Sequence, residues 1–159
     1  MAGRIELLTD AHVRAGFDSG EASLNDWLAR MALQQQRKNY VRTRVLVVDD
    51  EPGRILGYYA LTPCEVDSQH MPAGKRLPRR IGGILLARLA VDRSRQGRGY
   101  GEILLGDAVE TTRASIGAVG GIGLFADAIN ERAAAFYHGF GFESFHDDPL
   151  RLFRPVAWP

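Results

Sequence analysis

The sequence predicts an α/β protein, a mixed β-sheet with helices on both faces. Three observations lead there. Strand and helix patterns follow one another in the order β-α-β-β-β-α-β-α-β-β along 159 residues. The run Ile84 to Val91 is apolar enough to be a central strand. A glycine-rich turn and a helical pattern come directly after it, the strand–turn–helix succession of α/β folds. No repeat, low-complexity tract or linker divides the chain, so a single domain over residues 1–159 is expected.

The elements can be justified in turn. Ile5-Glu6-Leu7-Leu8 reads as a first strand. Glu21-Ala22-Ser23 opens a helix whose Leu24, Trp27, Leu28 and Met31 make one apolar stripe, and the signal fades around Lys38-Asn39-Tyr40. Thr43 to Val48 is a strand, Asp49 to Arg54 with Pro52-Gly53 a hairpin turn, and Ile55 to Thr62 the returning strand. Pro63 to Gly83, rich in Pro, Gly and Arg, is expected to be a strand extension and a mobile basic loop. After Ile84 to Val91, residues Arg95 to Ile116 carry the glycine loop and its helix, and Gly120 to Ala126 is the next strand. Asn130 to His138 is a short helix ended by Gly139, and Phe142 to Phe145 and Leu150 to Phe153 are a final strand pair.

The glycine turn carries the chemistry. Glycines let a backbone approach a phosphate and direct N–H groups at it, and a helix N-terminus adds partial positive charge. Gln96-Gly97-Arg98-Gly99-Tyr100-Gly101 is therefore an anion site for a phosphate-bearing ligand. Two familiar motifs do not fit. A dinucleotide fingerprint starting at Gly97 and Gly99 needs glycine where Glu102 stands. A Walker loop needs Ser or Thr after Gly-Lys, and Gly74-Lys75 is followed by Arg76. The spacing that remains is Q-x-x-G-x-G.

Composition narrows the class. Apolar residues are 45% and charged residues 25%, as in a folded globular protein. No run reaches the length of a membrane span and Met1 to Glu6 lacks a signal core, so no membrane association is expected. Cys64 is the single cysteine, which points to a reducing, cytoplasmic setting. His12, His70, His138 and His146 are scattered, so neither a cysteine–histidine pair nor a metal site is expected.

The net charge of +1 hides a pattern. Trp27 to Val48 has no carboxylate but holds Arg30, Arg37, Lys38, Arg42 and Arg44. Ser68 to Val91 has none either and holds Lys75, Arg76, Arg79, Arg80 and Arg88. Of the twenty basic residues only Lys38 and Lys75 are lysine, and arginine is the better fork for phosphate. Two acid-free basic windows suggest a polyanion surface.

The strand ending Leu89-Ala90-Val91-Asp92, the Q-x-x-G-x-G turn and the later Asn130…Ala135-Phe136-Tyr137-His138-Gly139-Phe140-Gly141-Phe142 segment together resemble the GNAT acetyltransferases. The segments Phe17-Asp18-Ser19-Gly20-Glu21, Leu24-Asn25-Asp26-Trp27-Leu28, Arg42-Thr43-Arg44-Val45 and Asp148-Pro149-Leu150-Arg151 look like the toxin branch of that family, which acetylates aminoacyl-tRNA. The resemblance implies a GNAT fold with splayed parallel strands and acetyl-CoA as cofactor. Leu89, Ala90 and Val91 would bond the pantetheine arm through their backbones, and the N–H groups from Gln96 to Gly101 would hold the pyrophosphate. Asn130 would touch the arm and Phe136 would line its slot. Tyr137 would be the general acid that protonates the leaving thiolate. The resemblance further implies a homodimer and a ribbon-helix-helix antitoxin.

Two features agree with an aminoacyl-tRNA substrate without the resemblance. One is the basic windows. The other is that Ile84 to Val91 contains no carboxylate to act as base. A lysine amine of pKa ~10.4 needs one, whereas an α-amine near ~7.7–8.0 is on the order of a tenth neutral already. Asp92 or a water could still serve. Acetylation of a small amine or a protein N-terminus, and a non-catalytic acetyl-CoA-binding module, remain the alternatives.

Overall fold

The computed structural model describes residues 3–72 and 76–157. Seven strands are hydrogen-bonded in the order β1-β2-β3-β4-β5-β7-β6, a mixed sheet with flanking helices. In chain order the elements are β1 (Gly3–Leu7), α1 (Ala22–Arg30), α2 (Ala32–Arg37), β2 (Arg42–Val48), β3 (Gly57–Asp67), β4 (Arg80–Val91), α3 (Tyr100–Val119), β5 (Gly123–Asp127), α4 (Glu131–His138), β6 (Glu143–Phe145) and β7 (Asp148–Pro155). The chain divides into two compact units, Met1–Thr62 with Ala87–Ala108, and Pro63–Leu86 with Val109–Pro159. Among the described residues no helix is long and apolar enough to cross a membrane.

In the first unit, β1 and β2 pair antiparallel, as do β2 and β3. Val45 and Val47 on β2, Tyr58 and Ala60 on β3 and Ala90 on β4 join Leu24, Trp27, Leu28, Ala32 and Leu33 of α1 and α2 in one core. Leu46, Val48, Tyr59 and Leu61 on the alternate positions are buried too. Burial on both faces explains why these strands read as continuous apolar runs. The predicted single helix is broken at Met31, which closes α1 and opens α2. Met31 is therefore exposed and does not extend the stripe of Leu24, Trp27 and Leu28. His12 is buried in a structural role: its Nδ1 accepts the Thr9 N–H at 3.0 Å and its Nε2 donates to Glu6 at 2.9 Å.

In the second unit, β4 runs parallel to β5 at Ile84–Leu86, β5 pairs with β7, and β7 with β6, both antiparallel. Phe125, Phe145, Phe153 and Met71 form its core, with Cys64, Val66 and Leu85 packed against it. Burial pushes the Cys64 thiol up to about 11, so it stays protonated and inert. The segment expected as a strand extension and basic loop contains the end of β3, a 3₁₀ turn at Ser68–His70 and the start of β4 at Arg80. The residue closing α4, Gly139, has helical geometry, and the left-handed position falls at Gly141 with φ 84°.

Within the first unit the buried phenol of Tyr59 donates to Asp107 Oδ2 at 2.6 Å, tying β3 to α3. Tyr59→Phe should lower unfolding free energy by about 1.5 kcal/mol, because the acceptor is a carboxylate. Urea unfolding of Tyr59→Phe, Asp107→Asn and the double variant checks this, and the two single losses should not add.

Candidate functional site

In the first unit, Asp92 ends β4 and shapes the turn after it. Its Oδ2 accepts the Ser94 N–H at 3.1 Å and the Ser94 hydroxyl at 2.6 Å, winding Arg93–Arg95 into one 3₁₀ turn. Its Oδ1 accepts the Asp18 N–H at 3.0 Å. Burial works against the Asp92 carboxylate, yet these hydrogen bonds outweigh it and hold its pKa below the usual range. A carboxylate so committed is a weak base. The expectation that Asp92 might draw a proton from the acceptor therefore loses support.

Gln96 is a fastener. Its Nε2 donates to Val91 O at 2.9 Å and to Ser19 O at 2.8 Å, binding the turn to the strand end and to the segment before α1. That segment is itself fixed, since Arg93 N–H donates to Asp18 O at 2.8 Å and the two side chains pair at 3.3 Å. The Gln96 N–H makes only a long contact to Arg93 O at 3.4 Å. Val91 O already accepts from Gln96.

The rest of the turn is open. Gly97 and Gly99 have φ of 76° and 83°, left-handed values that cost an L side chain roughly 1–2 kcal/mol. Among the described residues, the N–H groups of Gly97, Arg98, Gly99, Tyr100 and Gly101 have no protein acceptor. They lead into the first turn of α3, where helix geometry leaves N–H groups unpaired and the dipole is positive. Arg98 is exposed and has no acidic partner among the described residues. A chain of free N–H groups beside an unpaired guanidinium fits a pyrophosphate. Leu89, Ala90 and Val91 form the last residues of β4, directly before the turn.

In the second unit, Asn130 caps α4. Its Oδ1 accepts the Ala133 N–H at 2.9 Å, which uses one half of the amide that was expected on the pantetheine arm. Its Nδ2 has no acceptor among the described residues. Phe136 is half-buried, its ring 5.6 Å from that of Tyr137. Tyr137 is 7% exposed and packs edgewise on Phe136 and tilted on Phe142. Burial, then the charge of Asp127, raises its pKa, so the phenol holds its proton at neutral pH. Among the described residues its hydroxyl has no hydrogen-bond partner. The core phenol of Tyr58 differs, donating to Leu24 O at 2.7 Å. The Tyr137 residue is buried but its hydroxyl oxygen is not sealed from solvent, so an incoming ligand can reach it.

The basic windows change character in space. In the second unit Arg79 pairs with Asp67 at 2.8 Å and Arg80 with Glu65 at 2.9 Å, so a window free of acid in sequence is partly neutralised by β3. Arg76 is exposed without a partner among the described residues, and Lys75 lies outside them. In the first unit Arg37 meets Asp10 at 3.7 Å. Arg42 donates to Gln36 O and Asn39 Oδ1, closing the turn after α2. Lys38 is exposed and Arg44 half-buried on β2. The roles of Asp18, Ser19 and Asn25 around the turn were not read from sequence. The signal was present as Asp-Ser-Gly-Glu ahead of a helix, a local-turn composition.

The acetyltransferase (GNAT) domain family matches residues 41–144. The tRNA-acetylating toxin of Mycobacterium tuberculosis (strain ATCC 25618 / H37Rv) is 38% identical over 147 residues, 91% of this chain and 87% of that one. The solved structure of AtaT complexed with acetyl-methionyl-tRNAfMet superposes with a TM-score of 0.89 at 33% identity, covering 97% of this chain and 95% of that one. A mutant AtaT toxin bound to the C-terminus of the antitoxin AtaR and acetyl-CoA gives a TM-score of 0.83 at 33% identity, with 97% and 93% covered.

Gly99→Asp should weaken coenzyme A binding by at least tenfold. The new side chain must adopt the left-handed φ and sets a second carboxylate near that of Glu102, 3.6 Å from the Cβ position. Titration calorimetry measures it, and unaltered affinity would place the phosphate elsewhere.

Proposed function

The chain belongs to the acetyltransferase (GNAT) family, and on that premise we propose that it is an acetyl-CoA-dependent toxin that acetylates the α-amine of aminoacyl-tRNA and so blocks translation. The observation that carries the cofactor reading is the unpaired N–H run from Gly97 to Gly101 at the start of α3. Likeness to a tRNA-acetylating toxin over most of both chains supports the substrate.

When bound, acetyl-CoA supplies an acetyl thioester. The N–H groups of Gly97 to Gly101 and the Arg98 guanidinium would hold its diphosphate. Peptide groups of Leu89, Ala90 and Val91 at the end of β4, with Asn130 Nδ2, would orient the arm, and Phe136 would exclude water. Tyr137 would be the group that gives its phenolic proton to the departing thiolate. Burial keeps the phenol protonated at neutral pH, the form a proton donor needs. The acceptor must lose a proton too. Ile84 to Val91 offers no carboxylate and Asp92 is committed, so the chain takes an amine that is partly neutral in water.

The tRNA would be held through Arg37, Lys38, Arg42, Arg44, Arg76, Arg79 and Arg80, with Lys75 outside the described residues. An antitoxin partner of the ribbon-helix-helix type and a homodimer belong to the same reading, as does a cytoplasmic place of action, where charged tRNA is found.

Purified protein incubated with radiolabelled acetyl-CoA and total charged tRNA should label the RNA, with the label lost on mild alkaline deacylation. Label on spermidine or protein N-termini instead would reassign the acceptor. Tyr137→Phe should bind acetyl-CoA as wild type does and lose transfer by about 10²–10⁴-fold. Charge reversal at Arg37 and Lys38 should weaken tRNA binding and its salt dependence more than reversal at Arg79 and Arg80, which already face acids.

A further inference from the structure

Arg88 is half-buried on β4, the residue just before Leu89-Ala90-Val91. It shares a face of the strand with Ala90, two residues on, and Ala90 belongs to the same core as Trp27. The guanidinium carbon stands 4.9 Å from the centroid of the Trp27 ring, which is only 8% exposed. Nη1 donates to Ala87 O at 3.0 Å. Among the described residues no carboxylate pairs with Arg88, and its other nitrogens have no acceptor and are not sealed from solvent. Half-buried charges are normally matched by an opposite charge. The exposed Arg79, Arg80 and Arg93 each pair with a carboxylate. Arg88 has a ring face, which holds the guanidinium plane in one place and leaves its N–H fork free.

We propose that Arg88 is a specificity-determining residue for the acceptor: its free fork engages a phosphate of the nucleic-acid chain that carries the amine, and Trp27 positions it. The inference rests on the aminoacyl-tRNA reading and deepens it. If the thioester arm follows the peptide groups of Leu89 to Val91, Arg88 is the next side chain along β4, on the strand where no carboxylate occurs from Ile84 to Val91. A fixed forked cation there favours an acceptor bearing a phosphate and disfavours one that is itself a cation.

The test uses the full chain with Arg88→Gln and Arg88→Lys, charged tRNA as acceptor, several salt concentrations, and calorimetry of acetyl-CoA binding. Arg88→Gln should raise KM for charged tRNA by ~10-fold with kcat little changed, and lower the salt slope by about 0.7, the value for one single-strand phosphate contact. Acetyl-CoA affinity should stay as in wild type. Arg88→Lys should keep the salt slope and recover part of the KM. Arg88→Met, of similar length, replaces the Gln variant if that one does not fold. Unchanged KM and slope overturn the proposal, as does a loss confined to acetyl-CoA, which would make Arg88 a cofactor ligand. If wild type transfers no label to tRNA, the substrate reading fails and takes this inference with it. If wild type is active and Arg88→Gln matches it, only this inference fails.

Discussion

The first unit depends on one fastening. The amide of Gln96 joins the last carbonyl of β4 to the carbonyl of Ser19, while Asp92 holds Ser94 on one oxygen and the Asp18 N–H on the other. These bonds satisfy the polar groups at the start of the turn. They leave the groups at its end unsatisfied, in left-handed glycine geometry, where α3 begins. An anion site needs N–H groups that cannot relax onto their own protein. The fastening achieves this by committing side chains to the entry and none to the exit.

Unmet hydrogen-bonding capacity also distinguishes the other candidate groups. Tyr58 and Tyr59 are fully buried phenols with acceptors, as a folded core requires. Tyr137 is nearly as buried, yet its hydroxyl has no partner among the described residues. Several arginines pair with an acid, whereas among the described residues Arg98 has no acidic partner and Arg88 rests on an indole with one donor on the Ala87 carbonyl. Hydrogen-bonding groups left open on the glycine turn, on the strand before it and on α4 support reading the chain as a two-substrate enzyme.

The electrostatics of the acceptor are set by absences as much as by charges. A carboxylate on β4 would stabilise an ammonium and suit lysine or a polyamine. This strand carries none from Ile84 to Val91, and the carboxylate after it is held ionised by its own hydrogen bonds. The pairing of Arg79 and Arg80 with β3 acids shifts the burden of polyanion binding toward cations without such partners.

Local physics made much of this legible from sequence. The glycines at 97 and 99 made a tight turn legible because left-handed φ selects glycine locally. Alternation and helical stripes placed most strands and helices for the same reason, since backbone geometry repeats over a few residues. The breaks came where distant segments decide. Met31 left its stripe because α1 ends there, and Gln96 proved a brace because Ser19 lies against it. Arg79 and Arg80 met acids that sit on a different strand, and Arg88 met Trp27 from α1. Whether a polar group is satisfied depends on what folding brings beside it, and no spacing along the chain records that.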